Sequence, residues 1–284
     1  MPEIIKEGFL SAEYNGHYEI IRKKYRKLFD ISKVLNKLCH KICGGLNERI
    51  GREDYRQIAL SILFVKLMTC FQAVIINAKK GMKAEANCML RVFIETLFWF
   101  MAIIRKDDFY KLYFAYADYR KLSSEKRLLD FYPTWHNIAG GTEKLKEHYE
   151  QSLVEFNGYL ERLGISKNEL KDLDVIYKIA EHAQTPNDHD LFTNNLVIYS
   201  LLSNDVHSNA NCLRYYFTVD DFDNIQSVHY GPDDEDVERV LICSNTNMLV
   251  LIDELISFFG LDIKYKKRLQ EIEHEFHALR IKPD

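Results

Sequence analysis

Residues that interrupt helices are scarce in this chain, which has 5 prolines and 12 glycines among 284 residues. A β-sandwich or barrel of this length needs far more turn formers, so the scarcity excludes an all-β fold and points to long helices. An excess of one charge is missing too, because 38 basic side chains face 42 acidic ones and leave a net charge of -4. Without a basic field over the whole surface, contact with nucleic acid has to rest on a local patch. The start lacks the basic-then-apolar order and the small-residue cleavage site of an export signal, so a cytoplasmic protein is expected. Phosphate-loop, nucleophile-elbow, His-Glu-x-x-His and dinucleotide-binding motifs are all absent, which removes support for the common enzyme classes that carry them.

Long uncharged apolar runs are also lacking. The two most apolar stretches, 59–76 and 92–104, carry Lys66 and Glu95, and the second falls well short of the ~20 residues of a membrane span. Both read as buried helices, and no membrane partner is expected. The six cysteines, Cys39, Cys43, Cys70, Cys88, Cys212 and Cys243, are scattered through apolar helical surroundings, as reduced core thiols are.

What the chain does have is helical periodicity. Tyr14, Tyr18, Ile21, Tyr25, Leu28, Phe29, Ile31, Leu35, Leu38 and Ile42 recur at three- and four-residue spacing and predict one helix over about 11–43. A second is expected over about 53–80, closed by Gly81, and a third over about 83–104, apolar nearly all round after Met89 and therefore central. An aromatic stripe, Phe109, Tyr113, Tyr116 and Tyr119, marks a fourth. Next come a charged helix ended by Gly164, a helix opened by a Ser166-x-x-Glu169 capping box, and, after a turn or N-cap region at 185–190, a helix carrying the stretch 199–217. After Cys212 the pattern alternates and ends in Gly-Pro, predicting a small β-hairpin or extended excursion near 214–231. Four acids then open a helix ended by Gly260, and a last charged helix runs to about 280. The expectation is an all-α bundle of eight to nine helices forming one domain over 1–284, with flanking elements at 11–43 and 233–280.

Two constellations carry chemistry. Arg91 and Glu95 stand four apart on the most apolar helix, so they share a face. Burying an ion pair costs several kcal/mol per charge, so such a pair is kept as a structural tie or because a function needs it. The second is a polar knot, Ser203, Asn204, Asp205, His207, Ser208 and Asn209, set between apolar runs. His207 titrates near neutral pH, and Ser203 and Asn204 lie one turn before it on the same helical face. The knot is either a cleft or a set of polar groups that satisfy one another.

Metal signals are weak. Cys39-His40-x-x-Cys43 has no second ligand pair nearby, and Glu181, His182, Asp188, His189 and Asp190 make a loop rich in ligating types in which helix capping explains Asn187 and Asp188 equally well. No metal and no cofactor are expected.

The segments 81–103 and 199–217, with their Arg91-x-x-x-Glu95 and Ser203-x-x-x-His207 motifs, resemble the bacterial family of unknown function DUF5677 over roughly 55–217. The bundle with its polar histidine is also similar to the HEPN class of ribonucleases. That class pairs an arginine and a histidine on one helix. Here no arginine stands at that spacing before His207, and Arg91 from another helix would supply the cation. The resemblance implies a metal-independent ribonuclease, or a toxin or antiphage effector, acting on RNA as a homodimer. His207, Arg91 and Glu95 are then the catalytic candidates, and Ser203, Asn204, Asp205, Ser208 and Tyr119 the binding ones. The rival reading is a non-catalytic binding or scaffold module, joined to a partner protein, in which Arg91, Glu95 and His207 form a sealed polar network. The ribonuclease needs that knot open to solvent.

Overall fold

The computed structural model describes residues 9, 11–46, 49–51, 53–131, 141–184, 189–206, 216–219, 224–228 and 231–280, with the backbone alone described at 13, 131, 189–191, 204–206, 218–219 and 280. Eleven α-helices are present among them: α1 Asn15–Lys24, α2 Arg26–Leu46, α3 Tyr55–Lys79, α4 Lys83–Arg105, α5 Phe109–Phe131, α6 Thr142–Leu163, α7 Lys167–Asp172, α8 Ile176–Ala183, α9 His189–Val206, α10 Val237–Phe259 and α11 Ile263–Arg280. The chain is all-α, as expected, but it has more helices than the eight to nine read from periodicity.

Two of the expected helices are broken. The one over 11–43 divides at Tyr25, whose φ of -106° and ψ of 25° leave the helical range between α1 and α2. The one opened by Ser166 divides between α7 and α8, where Leu173 is buried and Asp174 accepts from Arg120 at 2.7 Å and from Tyr116 at 2.9 Å. Periodicity survives both breaks because the apolar spacing continues across them, so the sequence pattern did not show them. The capping box itself forms, with Ser166 Oγ accepting from the Glu169 amide and the Glu169 carboxylate accepting from the Ser166 amide.

The chain folds into two compact units, one of Met1–Phe100 with Pro186–Asp284 and one of Met101–Thr185. In the first, α10 is the axis and packs against α2, α3 and α11. It buries Val240, Leu241, Met248, Leu251, Ile252 and Leu255 around its circumference, and α2 presents Phe29, Leu35, Leu38 and Ile42 at helical spacing. Each such side chain contributes roughly 1.5–3 kcal/mol. Two pairs of buried polar groups cross this core: Ser32 Oγ donates to Asn245 Oδ1 at 2.8 Å between α2 and α10, and Asn195 and Asn247 exchange two amide bonds of 2.7 and 3.0 Å between α9 and α10.

Gly81 makes the turn from α3 to α4. Its φ is +68°, and a Cβ there would stand 2.8 Å from the Asp233 backbone, whose amide donates to the Gly81 carbonyl. Only glycine tolerates both conditions. The expected hairpin is present as two antiparallel strands, β1 Phe217–Val219 and β2 Ile225–Val228, with Phe217 opposite Val228. In the second unit, α5 packs along α6 and also meets α7.

By length and composition α3, α4 and α10 are each long and apolar enough to cross a membrane. The runs 59–76 and 92–104 fall within α3 and α4, and α3 leaves Ile62, Val65 and Ile76 exposed.

Candidate functional site

α4 carries Lys83, Asn87, Arg91 and Glu95 at steps of four along a largely apolar helix. A step of four keeps them on one face. α9 runs antiparallel beside it, since Phe98 stacks on Phe192 at 5.7 Å while Arg91 reaches Tyr199 and Ser203.

Arg91 is the centre of the cluster. Its Nε donates to Ser203 Oγ at 3.2 Å, its Nη2 donates to the Tyr199 hydroxyl, and its Nη1 lies 3.4 Å from Glu95 Oε2. The guanidinium also stands 4.5 Å from the centroid of the Tyr199 ring. Ser203 Oγ completes its bonding by donating to the Tyr199 carbonyl. The Tyr199 hydroxyl is held above the usual phenol range by burial first and by the Glu95 carboxylate next, with Arg91 opposing. Arg91 is 16% exposed and Glu95 40%, so the pair is anchored on one side and reaches water on the other.

Of the residues singled out from sequence, Arg91, Glu95 and Ser203 are therefore brought together. Asn204 and Asp205 occupy the last turn of α9, while His207 and Ser208 lie outside the described residues. Tyr119 belongs to the other compact unit, on α5, where its ring is 6.3 Å from that of Tyr116.

Three residues of the cluster escaped the sequence reading. Tyr199 holds Arg91, and its signal was the four-residue step to Ser203. Lys83, at the foot of the same α4 face, pairs with Glu235 at 2.7 Å and Asp236 at 3.5 Å. Asn87, between Lys83 and Arg91, is fully buried, and neither its Nδ2 nor its Oδ1 has a hydrogen-bond partner.

Among the described residues no group of three or more His, Cys, Asp or Glu side chains is arranged to hold a metal ion. Cys39 points into the core with its Sγ 3.6 Å from Met248 Sδ, and burial pushes its thiol far above the ordinary range, away from the thiolate a metal requires. Glu181 is tied to Lys178 at 3.1 Å, and His182 Nδ1 faces the Lys106 ammonium while its ring packs on Phe109 at 4.9 Å. Asp188 lies outside the described residues.

The sequence of residues 57–225 matches the model of the family of unknown function DUF5677. That is more than half of the chain and takes in α3, α4 and α9 together, and the protein belongs to this family. No curated protein and no solved structure matches it.

Proposed function

We propose that the chain is a HEPN-like, metal-independent ribonuclease that acts in the cytoplasm as a homodimer, in a toxin or antiphage role. One observation carries this reading: a guanidinium gripped by Glu95, Tyr199 and Ser203 stands at a face open to water, on helices that lead in sequence to His207. Ser203 precedes His207 by one helical turn's worth of chain.

The chemistry needs three roles. A base takes the 2'-hydroxyl proton of RNA, the freed oxygen attacks the adjacent phosphorus, and the bond to the 5'-oxygen breaks as an acid protonates it. A cation stabilises the charge that builds on the phosphorane. His207 serves as acid or base, Arg91 as the phosphate clamp, and Glu95 orients Arg91 or shares the proton transfer. Ser203 and Asn204 fix the imidazole or the phosphate.

The test is cleavage of a fluorogenic RNA by purified protein in excess chelator. The parent is expected to cut, and His207→Ala to lose about 100-fold or more with its circular dichroism unchanged. Arg91→Lys, which keeps the charge but not the fork, is expected to lose activity as well. An inactive parent, or a His207→Ala protein as active as the parent, overturns the assignment.

A second reading has an observation of its own. Every nitrogen of the Arg91 guanidinium already faces a partner within the chain, as befits a non-catalytic module in which the cluster ties α4 to α9. On that reading Arg91→Lys lowers stability and leaves RNA untouched.

A further inference from the structure

α3 is apolar on two opposite sides. It packs on α10 and buries Leu60, Leu63, Leu67 and Val74, which recur at steps of three, four and seven. Tyr55, Ile62, Val65 and Ile76 follow the same steps on the other side and stand in solvent, with Ile62 60% and Ile76 57% exposed. Single exposed apolar side chains are ordinary, but these make one stripe along about 30 Å of helix. No acidic residue occurs in 55–80, where Arg56, Lys66, Lys79 and Lys80 are the charged ones.

Positive charge is gathered on the neighbouring helix. Residues 22–41 hold eight basic side chains and one acidic one, a charge of +7 in a chain whose net charge is -4. On α2, Lys33, Lys37 and Lys41 are exposed at steps of four, so they share a face and repel one another. Lys33 holds the one acid, Asp30, at 2.9 Å, and Lys37 and Lys41 have no ion pair among the described residues. Elsewhere the same spacing joins opposite charges, as where Lys126 meets Asp130.

The stripe and the lysines belong to one surface. Gln72 on α3 donates to Asn36 on α2 at 2.9 Å and meets His40 at 3.3 Å, so the helices lie side by side. Both rest on α10, and their solvent faces therefore look the same way. An exposed apolar stripe with cations along its flank meets the two demands of an anionic lipid surface, apolar side chains to insert and positive charge to hold the headgroups.

We propose that the joint face of α2 and α3 docks peripherally on an anionic membrane. Ile62, Val65 and Ile76 enter the boundary of the acyl chains, Tyr55 sits at headgroup level, and Lys33, Lys37, Lys41 and Lys66 meet the lipid phosphates. α3 lies along the surface rather than across it, because its other side is held by the core. A second copy of the chain would bring this positive surface against itself. RNA would answer the lysines and leave the isoleucines in water. The proposal goes beyond the ribonuclease reading and does not depend on it.

Flotation of the full-length, nucleic-acid-free protein with vesicles of phosphatidylcholine, with and without phosphatidylserine, tests this. Binding is expected only when phosphatidylserine is present, and it should weaken as salt rises. Replacing Lys33, Lys37 and Lys41 together by Gln should lower the partition about 100-fold. Ile62→Ser with Val65→Ser should lower it about tenfold or more, and because both side chains are exposed the urea midpoint should hold. Four results would each overturn the proposal: no binding to the charged vesicles, equal binding to neutral ones, unchanged partition in either variant, or a parent dimer in solution that the Ile62 and Val65 substitutions split. So would tight, lysine-dependent binding of uncleavable 2'-O-methyl RNA that abolishes flotation and ignores those two substitutions.

Discussion

Two buried asparagines that look alike in sequence predict opposite outcomes. Asn247 exchanges two amide bonds with Asn195, so Asn247→Leu strands a buried partner and is expected to destabilise by about 1–3 kcal/mol. Asn87 has no partner to strand, so Asn87→Leu, close in volume and apolar, is expected to be neutral or stabilising. Urea denaturation of the two variants separates them, and a loss at Asn87 as large as at Asn247 would contradict this difference in bonding. The arginine cluster is likewise specific: Glu95→Gln keeps the shape beside Arg91 but removes the carboxylate that raises Tyr199, so the phenol titration should move down. A pH titration of tyrosinate absorbance against the parent checks this.

His182 gives a residue-scale prediction with a definite sign. Burial first, and the Lys106 ammonium next, hold its imidazole below the ordinary histidine value of about 6.5. As pH falls through that ordinary value, the unfolded chain takes up a proton that the folded chain refuses. Stability therefore declines from neutrality downward through this window, and the decline ends only below the folded value. The urea midpoint should drop between about pH 7 and 5.5, and His182→Gln should flatten that part of the profile. An unchanged slope in the variant would assign the effect elsewhere.

At the scale of elements, capping and breaks decide more than propensity. α7 is six residues long and opens with a reciprocal box between Ser166 and Glu169. A helix this short is marginal alone, so Ser166→Ala should cost about 1 kcal/mol, measurable as a lower urea midpoint. The position of α7 was legible in the sequence because Ser-x-x-Glu is a local signature. Its early end was not, because Asp174 leaves the helical path to meet Arg120 and Tyr116 on α5, more than fifty residues away. The break at Tyr25 was hidden in the same way, since the apolar spacing from Ile21 to Leu28 runs through it.

For the molecule as a whole, burial is uneven. α10 is enclosed by α2, α3 and α11, whereas α6 buries only Phe156 and Leu160. Amides of Val237–Phe259 should therefore exchange with deuterium more slowly than those of Thr142–Leu163, as followed by mass spectrometry. Equal protection of the two would mean that the α10 core does not set the stability of the fold.

The sequence alone determined the helical class, the order of the long helices, the hairpin, the family, and the proximity of Arg91 to Glu95, since each follows from spacing within one segment. It could not tell which polar knot is sealed. Ser244-Asn245-Thr246-Asn247 and the stretch after Tyr199 are both polar runs in apolar helices. Only packing shows that Asn245 and Asn247 are closed off by Ser32 and Asn195, while Arg91, Glu95, Tyr199 and Ser203 meet at a face open to water. Pairing across helices depends on which faces are brought together from segments 52 to 213 residues apart, and no local pattern records that.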